Sequence, residues 1–265
     1  MTSRLSHRQR HADRLEGLDL VPTVSADRGN GRLSGRRDRP LIPLVGWQAL
    51  STPGPSSDPK LFSNVTTKVE DVAKISADFV IAQSNGNAGV VIFTDSSIPF
   101  AEGKSQMIQK ELLTCSSVKV LKYDNIPLAD VANRMPTETS ALLSSLGDQW
   151  TYSVAINDVY FENATAAFRQ AGKTAETAPV NVGAGDGDAA ALTRIRTGDF
   201  QAATVTSPLR SEGWQIIDEI NRALSGQPAS GYVPQIHIST KANVGADNFW
   251  DPVGYQAAYQ KIWGK

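Results

Sequence analysis

Cysteine and histidine are scarce in this chain of 265 residues. Cys115 is the only cysteine, which excludes an intrachain disulfide and a cysteine-based metal cluster. The three histidines are His7, His11 and His237, and two of them stand in an unusual N-terminal segment. The sequence therefore predicts no metal site.

Excess charge and long apolar runs are missing as well. The formal net charge is -1, so the whole molecule offers no electrostatic attraction for nucleic acid or for a membrane surface. No window holds 18 or more consecutive apolar residues, so we expect nothing that spans a membrane.

Motifs for catalysis or cofactor binding are weak. The run GAGDGDA has glycines at alternate positions after an apolar stretch, but it lacks the third glycine of a dinucleotide fingerprint. Asp186 in that run would also repel a pyrophosphate. We therefore expect no catalytic residues and no cofactor, so the protein is not expected to be an enzyme.

The first 40 residues differ from the rest of the chain. They hold nine arginines, no lysine and five acids, whereas the other 225 residues hold eleven lysines and six arginines. No apolar period is sustained there, so we expect a disordered tail that is not native to the fold behind it. The alternatives are a basic arm for nucleic acid and an export signal at Arg36 and Arg37. Interspersed acids oppose the first, and a short apolar run broken by Pro43 opposes the second, so no signal peptide is recognisable.

From residue 41 onward, apolar strand-like runs alternate with helix-like segments. This alternation predicts an α/β fold with an open parallel sheet and helices on both faces. LIPLVGW reads as a buried parallel strand, and the C-terminal aromatic residues read as a helix packed on a core. The predicted strands are 41–47, 88–94, 118–123, 150–156, 180–183, 203–206 and 233–238; the predicted helices are 69–82, 101–113, 137–146, 163–171, 188–197 and 211–224.

The stretch NVGAGDGDAAALTRIRTGDFQAATVTSPLRSEGW, residues 181–214, has the length of a βαβ unit. Polar residues at the carboxyl ends of parallel strands face a ligand crevice, and Asn157, Asp186 and Ser207 stand at such ends. The loop after Thr94 leads to Lys104 in the next helix. Asp186 is equally suited to cap the helix behind it. Four convergent polar positions favour a binding site.

Three blocks resemble the type I periplasmic sugar-binding proteins of ABC importers, the ribose-binding-protein-like group. AGVVIFTDSSIPFAEGKSQMIQKEL is similar to the first strand and helix of that family's C-terminal lobe. SVAINDVYFENATAAFRQAG is similar to its strand with an Asn-Asp pair, and residues 180–214 are similar to its glycine-flanked Asp turn followed by a hinge. The resemblance runs from about residue 41 to the C-terminus and implies two Rossmann-like lobes around a solute.

The resemblance also assigns solute contacts. The family's Asn and Asp fall on Asn157 and Asp186, which would hydrogen-bond sugar hydroxyls. Lys104 stands where the family often has Arg, and Ser207 replaces a hinge Gln. In LIPLVGWQ the family frequently has Asp followed by Arg. Here Trp47 is expected to offer a stacking face, or Gln48 a hydrogen bond. These departures from the family pattern leave the identity of the sugar open.

Much of the family's N-terminal lobe has no counterpart before LIPLVGW, so we expect a truncated, incomplete lobe. The expected boundaries are 41–87 with 208–238 for the partial N-terminal lobe, and 88–207 with 239–265 for the C-terminal lobe. The resemblance implies a periplasmic protein that binds a sugar or polyol and delivers it to an ABC permease.

Two alternatives to that function remain. The first is the effector domain of a LacI-type regulator, although VEDVAKISAD continues into one helix without the turn of a DNA-binding headpiece. The second is a truncated product with little binding activity and an exposed, aggregation-prone sheet edge.

Overall fold

The computed structural model describes residues 42–264, which belong to one compact unit with two sheets. The strands are β1 Val45–Trp47, β2 Gly54–Pro55, β3 Ser63–Val65, β4 Ala88–Thr94, β5 Val118–Asn125, β6 Tyr152–Ala155, β7 Val180–Gly183, β8 Ala203–Thr206 and β9 His237–Thr240. The helices are α1 Val69–Gln83, α2 Pro99–Leu112, α3 Val131–Leu146, α4 Val159–Gln170, α5 Ala189–Thr197, α6 Leu209–Leu224 and α7 Tyr255–Ile262. Within this described part, none of the helices combines the length and the apolar character needed to cross a membrane.

The larger sheet has six strands in the order β5-β4-β6-β7-β8-β9. All neighbours pair in parallel except β8 and β9, which are antiparallel. The parallel strands β4, β6, β7 and β8 therefore end at one edge of the sheet. This arrangement confirms the predicted α/β fold and brings the loops after these strands together.

Apolar side chains alternate between the two faces of this sheet, as the two-residue period of a strand requires. In β4, Val90 and Ile92 pack with α1 and α2 on one face, whereas Val91 and Phe93 pack with α3 and α4 on the other. Both faces are covered, which explains why β4 is apolar along its whole length.

The smaller sheet has three short strands in the order β1-β3-β2. β1 pairs with β3 in parallel, and β2 pairs with β3 antiparallel. α6 contacts β1 and β3, and α7 packs on α6. Trp214 of α6 stacks on Trp263, with 5.3 Å between ring centroids. The aromatic C-terminal helix therefore packs on α6, but none of its residues is buried and none belongs to an apolar core, contrary to the prediction.

Several predicted elements require correction. The predicted edge strand at 233–238 is displaced, because the edge strand beside β8 is His237–Thr240 and shares only residues 237 and 238 with the prediction. The run 41–47 yields only the three residues of β1, and it is not buried, since Trp47 is 48% exposed. α3 begins six residues earlier than predicted and contains Pro136, which cannot donate the helical hydrogen bond to the carbonyl of Ala132.

The expected lobe boundaries stay a prediction, and α1, which was expected in the partial N-terminal lobe, packs on the larger sheet. Val72, Ala73, Ala77 and Val80 of this helix are buried against the six-stranded sheet. Residues 69–87 therefore pack with the larger sheet and not with β1 and β3. The predicted tail, 1–40, lies outside the described residues.

Candidate functional site

The turn after β7 has a conformation that only a few residue types adopt. Asp186 has a φ of 52° and Gly187 a φ of 66°, both in the left-handed region. A Cβ on Gly187 would lie 2.4 Å from Cγ2 of Thr206, so a larger residue is excluded there. Gly187 thus allows the turn to approach the end of β8 closely while the turn presents Asp186.

The structure shows that Asp186 does not cap α5. Asp188 is the cap residue, and its carboxylate accepts a hydrogen bond of 2.7 Å from the amide of Ala191. The carboxylate of Asp186 instead accepts from Nδ2 of Asn157 at 2.7 Å and from Nε2 of Gln48 at 3.3 Å. Three of the predicted site residues, from three distant segments, therefore meet at one carboxylate.

Asn157 is held by its neighbours at the end of β6. Its Oδ1 accepts a hydrogen bond of 3.0 Å from the amide of Val159, where α4 begins. This bond fixes the amide plane, so that Nδ2 points to Asp186. The side chain acts here as a helix-start residue and as a donor in the site at the same time.

Asp158, the second residue of the Asn-Asp pair, is fully buried below the turn. Its carboxylate accepts from the amide of Gly187 at 2.9 Å and from Nε2 of Gln201 at 2.6 Å. Burial raises the pKa of Asp158 to about 7, although these hydrogen bonds oppose the shift. Asp158 ties the end of β6 to the turn after β7, a role that sequence reasoning missed although it quoted the pair.

Lys104 reaches the same place from α2. It is buried, and its ammonium donates to the main-chain carbonyls of Ile156, at 2.9 Å, and of Ala184. Burial lowers the pKa of Lys104 to about 8, and the negative charges of Asp186 and Asp158 oppose that shift. The lysine thus holds together the two loops that carry Asn157 and Asp186, and its direct contact with solute stays a prediction.

Ser207 contacts the turn through its main chain. Its amide donates to the carbonyl of Asp186 at 3.3 Å, and the residue is buried at the crossing from β8 to α6. This contact positions the turn. A role for the hydroxyl in binding stays a prediction.

Trp47 extends the site from β1, and it has a partner that the sequence did not reveal. Its indole Nε1 donates to Oε2 of Glu212 at 2.7 Å, in the first turn of α6. Glu212 is only 1% exposed. Burial raises the pKa of Glu212 to about 7, and the charges of Asp186 and Asp251 add to the shift. Glu212 lies four residues after Pro208, and an acid in the first turn of a helix gives no distinctive signal in the sequence.

These residues form a polar cluster with donors, acceptors and an indole ring, as in sites that bind a polar solute. A separate cavity of about 430 Å³ lies between β9, the start of α6 and the loop before α7, and none of the six predicted residues lines it. Within residues 42–264, no three His, Cys, Asp or Glu side chains are grouped to hold a metal ion.

Comparison with known families identifies the class of protein. Residues 42–228 match the periplasmic binding protein domain, so the chain belongs to that family. No curated protein sequence matches the chain significantly.

Solved structures share the fold at low sequence identity. The periplasmic binding protein component of the arabinose ABC transporter from Shewanella sp. ANA-3, bound to L-arabinofuranose, has a TM-score of 0.62 and 14% identity over 78% of this chain and 64% of its own. A periplasmic solute binding protein from Actinobacillus succinogenes 130z with bound D-allose has a TM-score of 0.61 and 15% identity over 69% and 63%. An ABC sugar transporter subunit from Rhodobacter sphaeroides 2.4.1 has a TM-score of 0.64 and 18% identity over 76% and 70%. The chain thus spans slightly less than two thirds of the first two structures.

Proposed function

We propose that this chain is the solute-binding protein of a carbohydrate ABC importer, that it works in the periplasm, and that it passes a sugar or polyol to a permease. The observation that carries the proposal is that the side chains of Asn157 and Gln48 both donate hydrogen bonds to the carboxylate of Asp186. Gln48 lies 138 positions from Asp186 in the sequence, so the contact joins the region of the smaller sheet to that of the larger one. A solute between the two regions would replace this hydrogen bond.

The proposed binding mode follows from the chemistry of the groups. Asp186 would accept hydrogen bonds from two sugar hydroxyls, Asn157 would donate one, and the half-exposed ring of Trp47 would cover an apolar face of the sugar. In this proposal the six-stranded sheet with α1 to α5 is one lobe, and the smaller sheet with α6 contributes to the other. Closure of the two would surround the solute.

Isothermal titration against a panel of pentoses, hexoses and polyols tests the proposal. We expect heat with at least one of these solutes, and a loss of affinity of at least about tenfold in Asp186→Asn, because the variant keeps the shape but loses the charge. Asn also tolerates the left-handed backbone of this turn.

Asp188→Asn is the matched control. It removes a carboxylate two residues away, and Asn caps a helix as well as Asp does. We expect its affinity to equal that of the wild type. The proposal would be wrong if no solute of the panel produced heat, or if Asp186→Asn bound as tightly as Asp188→Asn.

A further inference from the structure

Glu212 carries a carboxylate oxygen whose hydrogen-bonding capacity is unused. The residue is 1% exposed, and Oε2 accepts the hydrogen bond from Trp47. Oε1 is buried and has no hydrogen-bond partner among the described residues. A buried carboxylate oxygen without a donor is unfavourable, so most such groups in proteins have a partner. A bound solute would supply the missing donor.

The groups around Glu212 are mainly negative. Asp186 and Asp251 are both close enough to raise its pKa. The ammonium of Lys104 is directed at two main-chain carbonyls. The guanidinium of Arg210 lies over the ring of Phe249, 4.3 Å from its centroid. Lys104 thus offsets part of the charge of Asp186, whereas among the described residues the only charges that contribute to the pKa shift of Glu212 are negative.

We propose that Glu212 is a further solute contact, and that it acts with Asp186 to select a solute with a positively charged amino group, such as an amino sugar. The inference rests on the proposed function of the same site. An ammonium group has three N–H donors, so it can serve Oε1 of Glu212 and the carboxylate of Asp186 together. It would also favour the charged form of Glu212 and offset the charge of Asp186, whereas an acidic sugar would add a further negative charge.

Matched sets of sugars test the charge selection in the wild-type protein. Each set holds a hexose, its 2-amino derivative and its uronic acid, in the gluco and the galacto series, titrated calorimetrically at pH 7. We expect the amino sugar to bind about tenfold more tightly than the neutral sugar of its series, and the uronic acid to give no heat.

The variant Glu212→Gln tests the residue itself. Gln keeps the length and an oxygen for Trp47 but removes the charge and the second acceptor, so we expect the ratio of amino-sugar affinity to neutral-sugar affinity to fall from about tenfold to about one. Glu219→Gln is the matched control. Glu219 is another buried acid of α6, two helical turns from Glu212. It accepts hydrogen bonds from Ser230. It should leave the preference unchanged.

The outcomes separate this inference from the proposed function. Equal affinity for the amino and neutral sugars, tight binding of a uronic acid, or an unchanged preference in Glu212→Gln would overturn the inference and leave sugar binding intact. Loss of the preference in Glu219→Gln as well would also overturn it, because the effect would then not belong to Glu212. If no sugar in the sets or in the wider panel binds, both proposals fail.

Discussion

The two sheets of this protein are stabilised in different ways. The six-stranded sheet is covered on both faces, and its apolar residues are among the most deeply buried in the described chain. The smaller sheet has strands of two or three residues, and apolar side chains near its β1 edge are exposed: Ile42 is 90% exposed and Leu44 is 58% exposed.

α6 shows the same difference at the level of one helix. Its buried side chains are polar or charged, whereas Ile217 is 50% and Leu224 is 70% exposed. Hydrogen bonds hold the buried groups: Trp263 donates to Asp218 at 2.8 Å, and Tyr232 accepts from Gln215 at 2.9 Å. Apolar burial therefore dominates around the larger sheet, and polar and aromatic contacts dominate around the smaller one.

The candidate site lies where these two regions meet. Asn157 and Asp186 come from loops anchored by the larger sheet, and Gln48 and Glu212 come from the region with less apolar burial. We infer that the first half of the site is rigid and that the second half can separate from it at low cost, as a protein that closes around a solute requires.

The largest effect on stability is expected from a substitution that creates a cavity beside the larger sheet. Phe168 is 1% exposed and packs on Phe200 and Trp150, with ring centroids 5.5 and 5.8 Å apart. Phe168→Ala should lower the free energy of unfolding by about 3–5 kcal/mol in urea titrations followed by circular dichroism. Ile217→Ala, on the exposed face of α6, is the control, with an expected change within about 0.5 kcal/mol. Similar losses in both variants would remove the distinction between the two regions.

A smaller and more local effect is expected at the aromatic contact between α6 and α7. Trp214 contacts Trp263, Tyr255 and Tyr259, with ring centroids 5.3 to 6.2 Å apart. An isolated helix of eight residues is not stable, so Trp214→Ala should release α7 at a cost of about 2 kcal/mol. Hydrogen exchange should then become fast in Tyr255–Ile262 while β4 and β6 stay protected. Faster exchange throughout the larger sheet would show that the two regions unfold together.

The same contrast explains which parts could be predicted from the sequence. β4, β7 and β8 have the predicted bounds, because apolar runs that are buried on both faces leave a pattern in the sequence. β2 and β3 left no such pattern, since Gly54–Pro55 and Ser63–Val65 are very short and form strands only by pairing with neighbouring strands.

The candidate site divides in the same way. Asn157 and Asp186 could be placed together because both follow parallel strands of one sheet. The hydrogen bond of Gln48 to Asp186 depends on how distant segments pack, which no local pattern encodes. Glu212 was missed because an acid in the first turn of a helix is an ordinary, dipole-favoured residue, and only its burial distinguishes it.

The stability of the protein should depend on pH because of Glu212, which lies at the boundary between the two regions. Its pKa is about 7 in the folded protein, against an ordinary value of 4.5. Between these pH values the folded state retains a proton that the unfolded state has lost, so stability falls as the pH rises from 4.5 to 7. Below pH 4.5 the carboxyl is protonated in both states and this destabilisation is absent.

Glu212→Gln removes that contribution. Its stability relative to wild type should therefore rise between pH 4.5 and 7, by on the order of 1–2 kcal/mol, in urea titrations at each pH. Glu70→Gln, which removes an exposed acid from α1, controls for the general loss of one negative charge. A stability difference that is the same at every pH would show that burial of Glu212 does not disfavour its charge.

The smallest effect is expected on the solvent side of the larger sheet. Lys74 of α1 pairs with Asp78 at 2.8 Å and with Glu111 of α2 at 3.1 Å, and its side chain is 60% exposed. Solvent and salt screen such pairs, so Lys74→Met should leave the free energy of unfolding unchanged within the error of a urea titration, in low salt and in 1 M sodium chloride. The packing of Val72 and Ala73 beneath it, and not the ion pair, would then hold α1 on the sheet. A measurable loss of stability that disappears in salt would show that surface charges contribute to the stability of this region.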